Sequence, residues 1–106
     1  MKKTGTLQVS PSTHIPQGRV ILHPNEGFDL GLMRVKHPVQ LCTDIGVQEY
    51  LKGMNGTAED LQVELLNDCP PQTLQLNQTH WKGMGSPPRA VVLLDGVRLF
   101  FQPLSS

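Results

Sequence analysis

The sequence predicts a small α+β fold: a mainly antiparallel sheet or small open barrel, two short central helices and a C-terminal β-hairpin. Three observations lead there. Asp95-Gly96 separates two apolar runs, 90–94 and 97–101, which is the pattern of a two-residue hairpin turn. Shorter stretches of strand character recur upstream at 19–23, 34–42 and 73–79. Between them, residues 43–66 carry apolar stripes at helical spacing.

The elements follow in order. Residues 1–4 and 104–106 are expected to be loose ends of a single domain spanning 1–106. Leu7 and Val9 suggest a strand, and a loop with Pro11 and Pro16 follows. After the strand at 19–23, Pro24-Asn25-Glu26-Gly27 reads as a turn and 28–33 as a short extended piece. In 34–42, Val35, His37, Val39 and Leu41 share one face. Pro38 lies on the other face and cannot donate to a ladder, so this strand is placed at an edge or an irregularity.

Thr43 is the expected cap of a helix from Asp44 to about Met54, stopped by Gly53, Asn55 and Gly56. Thr57 then caps a second helix, with Ala58, Leu61, Leu65 and Leu66 as its apolar stripe. Leu61, Val63 and Leu65 also alternate as a strand would, but the helix is preferred. Pro70-Pro71 ends it. In 73–79, Leu74 and Leu76 face together. The hairpin register pairs Leu94 with Val97, Val92 with Leu99 and Ala90 with Phe101 on an apolar face. Val91, Leu93, Arg98 and Phe100 then form a mixed face, to be covered by a helix or a subunit. No internal repeat is visible.

Composition narrows the function. The 106 residues are 38% hydrophobic and 5% aromatic, and nine basic side chains balance nine acidic ones. Such a chain has no general attraction for nucleic acid or an anionic membrane. The balance is uneven along the chain: 1–42 sum to +3, 43–68 to −5 and the remainder to +2. A helix pair at 43–66 that is strongly acidic does not suit a DNA groove. No apolar run reaches the roughly 18 residues of a membrane span, and none follows Met1-Lys2-Lys3 as a signal sequence requires. Two cysteines then fit a reducing, cytoplasmic setting. The sequons at Asn55 and Asn77 are the counter-indication.

Cys42 is the leading nucleophile candidate, because helix dipoles at the predicted helix start favour a thiolate. Asp44 opposes this, and His37 points to the other strand face, so an inert thiol is the better reading. His14, His23, His37, Cys42, Cys69 and His80 are too scattered to fix two metal ligands on one element. No metal or cofactor is expected. His37 and His80 read as hydrogen-bonded boundary imidazoles. The strongest binding candidate is Trp81 with Lys82, Met84, Pro87, Pro88 and Arg89. Strict alternation exposes Trp81 in a loop with the composition of a contact surface; a bulge near Gln78 buries it instead. The functional expectation is a small non-enzymatic cytosolic binding or assembly module that meets a protein partner or a second copy of itself. The alternative is a small enzyme or ligand-binding protein with a cleft near Cys42 and a histidine brought in by the fold.

Overall fold

Apolar residues at alternate positions in strand after strand leave each strand with one dry face, and the chain buries those faces by curling the sheet on itself. The computed structural model describes residues 1–42, 46–54 and 56–104. Its elements are β1 (Lys2–Lys3), β2 (Leu7–Ser12), β3 (Arg19–Leu22), α1 (Pro24–Asp29), β4 (Lys36–Cys42), α2 (Val47–Leu51), β5 (Ala58–Leu65), β6 (Thr73–Asn77), α3 (Gln78–Gly83), β7 (Arg89–Asp95) and β8 (Arg98–Leu104). Seven strands in the order β7-β2-β6-β3-β5-β4-β8 close into a barrel through the β7–β8 pair, and β1 continues the β2 side of β7. The interior is filled by Leu7, Val9, Val20, Leu22, Val39, Leu41, Leu61, Val63, Leu74, Leu76, Val92 and Leu99, among others.

The barrel is closed and mixed, not open and mainly antiparallel. β2–β6, β3–β5 and β4–β8 run parallel, and the other ring contacts are antiparallel. The second central helix is absent: 58–65 is β5, hydrogen-bonded to β3 on one side and β4 on the other. Two ladders and inward burial of Leu61, Val63 and Leu65 outweigh the weak helical stripe. In the other direction, 24–29 is a helix where a turn and an extended piece were expected. Pro24 occupies its first turn, and the His23 imidazole Nδ1 caps it by accepting the Asn25 N–H at 3.0 Å. The strand expected at 73–79 stops at Asn77 and turns into α3. The expected start of the first central helix, Thr43–Asp44, lies outside the described residues; its described part is α2, with Gly46 as N-cap.

The hairpin turn sits one residue later than expected. Asp95 pairs with Arg98 and Leu94 with Leu99, leaving Gly96 (φ 62°) and Val97 as the turn. Glycine at a positive-φ first turn position explains the choice. The shift is two residues in register, so the side chains within the ladder keep their predicted faces, while Val97, expected opposite Leu94 on the apolar face, lies in the turn and is 57% exposed. Pro38 sits opposite Gln62 on β5, and the β8 ladder begins only at Gln40, so the missing N–H faces no strand. Lys2 and Lys3, expected in the loose N-terminal end, pair with Leu94 and Leu93.

The barrel contains a repeat that the sequence pattern had hidden. At a constant spacing of 54 residues, Leu7-Gln8-Val9 recurs as Leu61-Gln62-Val63, Val20 and Leu22 recur as Leu74 and Leu76, and the helix caps His23 and Leu30 recur as Asn77 and Met84. Gly31 and Gly85 follow the helices at φ 75° and 91°. Both ends close alike: Leu32 N–H donates to the Gly27 carbonyl at 2.8 Å and Ser86 N–H to Trp81 at 3.0 Å. Ladder register repeats too. Val9 opposite Leu74 has its counterpart in Val63 opposite Val20, and the pseudo-twofold passes through the Ile21–Gln75 pair of β3 and β6. Because β3 and β6 are antiparallel, α1 and α3 sit at opposite ends of the barrel. After the helix the halves diverge. Val39 takes the ladder position of Ala90, so the first half has three more residues before its last strand.

The Asn77 side chain has two tasks here. Its Oδ1 accepts the Thr79 N–H at 2.8 Å as the cap of α3, and its Nδ2 donates to the Ile15 carbonyl at 2.7 Å. Asn77→Ala is expected to lower stability by about 1–2 kcal/mol, while Gln78→Ala next to it leaves stability nearly unchanged; urea denaturation of the two variants measures the contrast.

Candidate functional site

β7 and β8 bury one face inside the barrel and turn the other outward, carrying Val91, Leu93 and Phe100. α2 lies on that outer face. Val47 and Tyr50 pack with Cys42, Leu93, Phe100, Ala58 and Val91 into a second, smaller apolar layer. The Tyr50 and Phe100 rings meet at 4.9 Å between centroids, tilted by 54°. The expectation that a helix or a subunit covers the mixed hairpin face is therefore met by a helix. Among the described residues the cover is incomplete: five helical residues span about 7.5 Å, whereas a seven-residue strand runs about 23 Å.

Polar groups pin α2 down. The Tyr50 hydroxyl donates to Asp95 Oδ2 at 2.8 Å, and this hydrogen bond, followed by burial and the Asp95 charge, raises the phenol's pKa. Cys42 is buried in the layer, and Arg98 Nη1 lies 3.7 Å from its Sγ. The group that the fold brings to Cys42 is thus a guanidinium. His37 is occupied by the Arg34 N–H, which its Nε2 accepts at 2.9 Å, and His80 stands on α3 with its ring 5.8 Å from that of Phe101. Among the described residues, no three His, Cys, Asp or Glu side chains gather in a metal-binding group.

Among the described residues, grooves flank α2 on two sides. One, of about 420 Å³, has Val91 and Leu93 along its floor, Val47 and Leu51 on the helix side, and Met1, Lys3 and Thr6 on the other. Leu51 is 64% exposed and Met1 49%. The second groove, of about 220 Å³, runs between α2 and 100–103 of β8. Sequence reasoning missed both, because each groove joins α2 to segments far from it in the chain.

The candidate contact residues at 81–89 divide. Trp81 and Met84 are half-buried against the barrel core, and the Trp81 indole N–H donates to the Pro87 carbonyl at 2.8 Å. Pro87 is buried; Lys82, Pro88 and Arg89 are exposed. The turn into α3 makes strict strand alternation inapplicable at Trp81. Its counterpart in the first half is Gly27, where an added Cβ would come within 2.5 Å of Leu65 Cδ1. At that level one half fills space from the strand and the other from the helix. At the opposite end, Phe28 and Met33 are 74% and 84% exposed, and Met33 belongs to the connection that is longer in the first half.

Other buried polar groups serve the fold. Arg19 Nε lies 2.9 Å from Glu64 Oε1 across the β3–β5 pair. Glu26 Oε1 accepts the Gln72 N–H at 3.0 Å, which fastens α1 to the turn before β6. Burial, with a smaller push from Glu26, raises the Cys69 thiol to about 11. No protein-family model matches the chain, and no curated protein is significantly similar to it.

The Cys69 shift predicts a pH dependence. The unfolded chain loses this proton near pH 9 and the folded chain near 11, so the folded state binds more protons between them and stability falls as pH rises through that window. The loss is about 2 kcal/mol. Urea denaturation from pH 8 to 11 checks it, and Cys69→Ala is expected to flatten the slope.

Proposed function

We propose that this protein is a non-enzymatic binding module that acts through protein contacts and associates with itself. One observation carries the reading: α2 is too short to cover the outer face of the β7–β8 hairpin, and the uncovered part is a groove with an apolar floor, Val91 and Leu93, edged by the exposed Leu51 and Met1. Exposed aliphatic side chains beside a concave apolar floor are the composition of a contact centre. A second copy seated on this face would complete the layer that α2 begins, and an isologous pair would do so for both chains at once. The exposed Lys82, Pro88 and Arg89 remain in the proposal as a second contact region, with Trp81 acting from beneath as the side chain that fixes their loop.

The alternative, a ligand-binding or catalytic cleft at Cys42, draws on a separate observation, the Arg98 guanidinium beside the thiol under the same helix. A guanidinium in that place can hold an anionic ligand group beside the thiol. Alkylation of Cys42 that slows several-fold in Arg98→Ala supports it.

Sedimentation equilibrium tests the main reading. The average mass is expected to rise above the 11.7 kDa of the monomer as concentration approaches about 1 mM, the range in which weak contacts of about 4 kcal/mol appear. Leu51→Asp, which leaves the barrel core untouched, is expected to hold the mass at the monomer value. A wild-type chain that stays monomeric throughout overturns self-association through this face.

A further inference from the structure

The pseudo-twofold supplies an internal control for what the fold itself demands. The third residue of α1, Glu26, is 6% exposed, and its carboxylate is tied to the Gln72 N–H. The Glu26 side chain fills that place, against the turn before β6. The third residue of α3 is His80, and at this end the same place opens into a cavity of about 160 Å³ lined by Gln17, Glu59, Thr79 and His80. The fold does not require an opening at this helix position, since a buried side chain occupies it in the other half.

We propose that this cavity is a binding site for an alkylammonium group, carried by a small amine or by the side chain of a lysine. All four lining residues have side-chain acceptors. Glu59 brings a carboxylate, Thr79 a hydroxyl and Gln17 an amide oxygen. His80 brings an imidazole nitrogen, because burial, only partly offset by the Glu59 charge, lowers its pKa and leaves the ring neutral at pH 7. The pocket then carries one formal negative charge, and no lysine or arginine lines it. The Phe101 ring, 5.8 Å from that of His80, supports the imidazole plane.

Size and charge select the ligand. The volume equals about five water molecules and falls below the usual ~300–1,000 Å³ of a small-molecule pocket, so it takes a head group and not a whole cofactor. An anion meets the Glu59 carboxylate. A metal ion finds one carboxylate and one imidazole, short of the three protein ligands typical of even an open site. An alkylammonium ion has three donors for these acceptors and an aliphatic stem that can leave through the open mouth.

NMR titration of the labelled full chain at pH 7.5 tests the proposal with n-butylammonium, with a lysine-containing tetrapeptide, and with the same peptide carrying norleucine. Saturable shifts at Thr79 and His80, with a dissociation constant of about 1–10 mM, are expected for one or both cationic probes and not for the norleucine peptide. Butylammonium binding identifies a small amine as sufficient; binding of the lysine peptide alone identifies a protein side chain. Glu59→Gln, at an exposed position, is expected to weaken binding about fivefold, the scale of one solvent-exposed ion pair. Affinity should fall as pH drops through the His80 titration, since Glu59 is the charged group that faces the ring and imidazolium repels the ligand. His80→Gln should bind without that pH dependence. Absence of saturable shifts up to about 100 mM of either cation, or binding indifferent to Glu59→Gln, overturns the proposal. Neither result bears on self-association through the α2 face.

Discussion

The antiparallel contact between β3 and β6 is the constraint on which the rest of the barrel depends. Ile21 opposite Gln75 is the one ladder pair that the pseudo-twofold maps onto itself, and every other contact is placed relative to it. Each of these two strands takes, on its far side, the first strand of the other half in parallel: β5 beside β3 and β2 beside β6. Parallel neighbours need long connections, and here the connections are supplied by interleaving. The helices follow as a consequence. A strand that reaches the end of its ladder, at Leu22 or at Asn77, must leave the barrel wall, and a polar cap there, His23 or Asn77 itself, starts a short helix that turns the chain back.

Departures from that symmetry are where the surface acquires its character. The extra residues after α1 bring Met33 into solvent; β8 has no counterpart in the first half, and its outer face with that of β7 creates the platform on which α2 rests. The Tyr50–Asp95 hydrogen bond and the Tyr50–Phe100 contact hold a helix of five residues that would not persist alone. Its brevity sets the grooves, and the grooves set the proposed contact face. The same logic applies to Glu26 and His80, equivalent positions given opposite environments by the loops that precede β6 and β3.

Legibility in the sequence followed the strength of local signals. The hairpin was readable because Asp-Gly and two β-rich runs agree; its register slipped because Gly96 takes the first turn position and not the second. Strand faces were correct wherever both neighbours are strands, as at Val39, Leu41, Leu74 and Leu76. Residues 58–65 misled because Leu61, Leu65 and Leu66 satisfy a helical stripe while the deciding partners, β3 and β4, lie about 20–45 residues upstream. α1 and α3 were invisible, since six residues give no periodicity to count, whereas α2 falls inside the helix expected from Asp44 to about Met54. The repeat escaped because side chains between the shared positions differ. The contact candidates at 81–89 were legible as a group by composition, but not the division between half-buried Trp81 and exposed Arg89, which depends on a helix turn. The polar cavity left no signal, since Gln17, Glu59 and His80 come from three distant segments.

Interleaving also orders events in time. β3 finds its first two ladder partners at 62–65 and at 74–76, so a chain emerging from its N-terminus carries a complete first half with nothing to pair against. Contacts of such separation form slowly: β3 and β4 wait unpaired until β5 has been synthesised, and β2 until β6. Folding of this barrel is therefore a late, joint event of both halves. A cut in the connection after α2 leaves two pieces, each of which holds the strands that the other lacks.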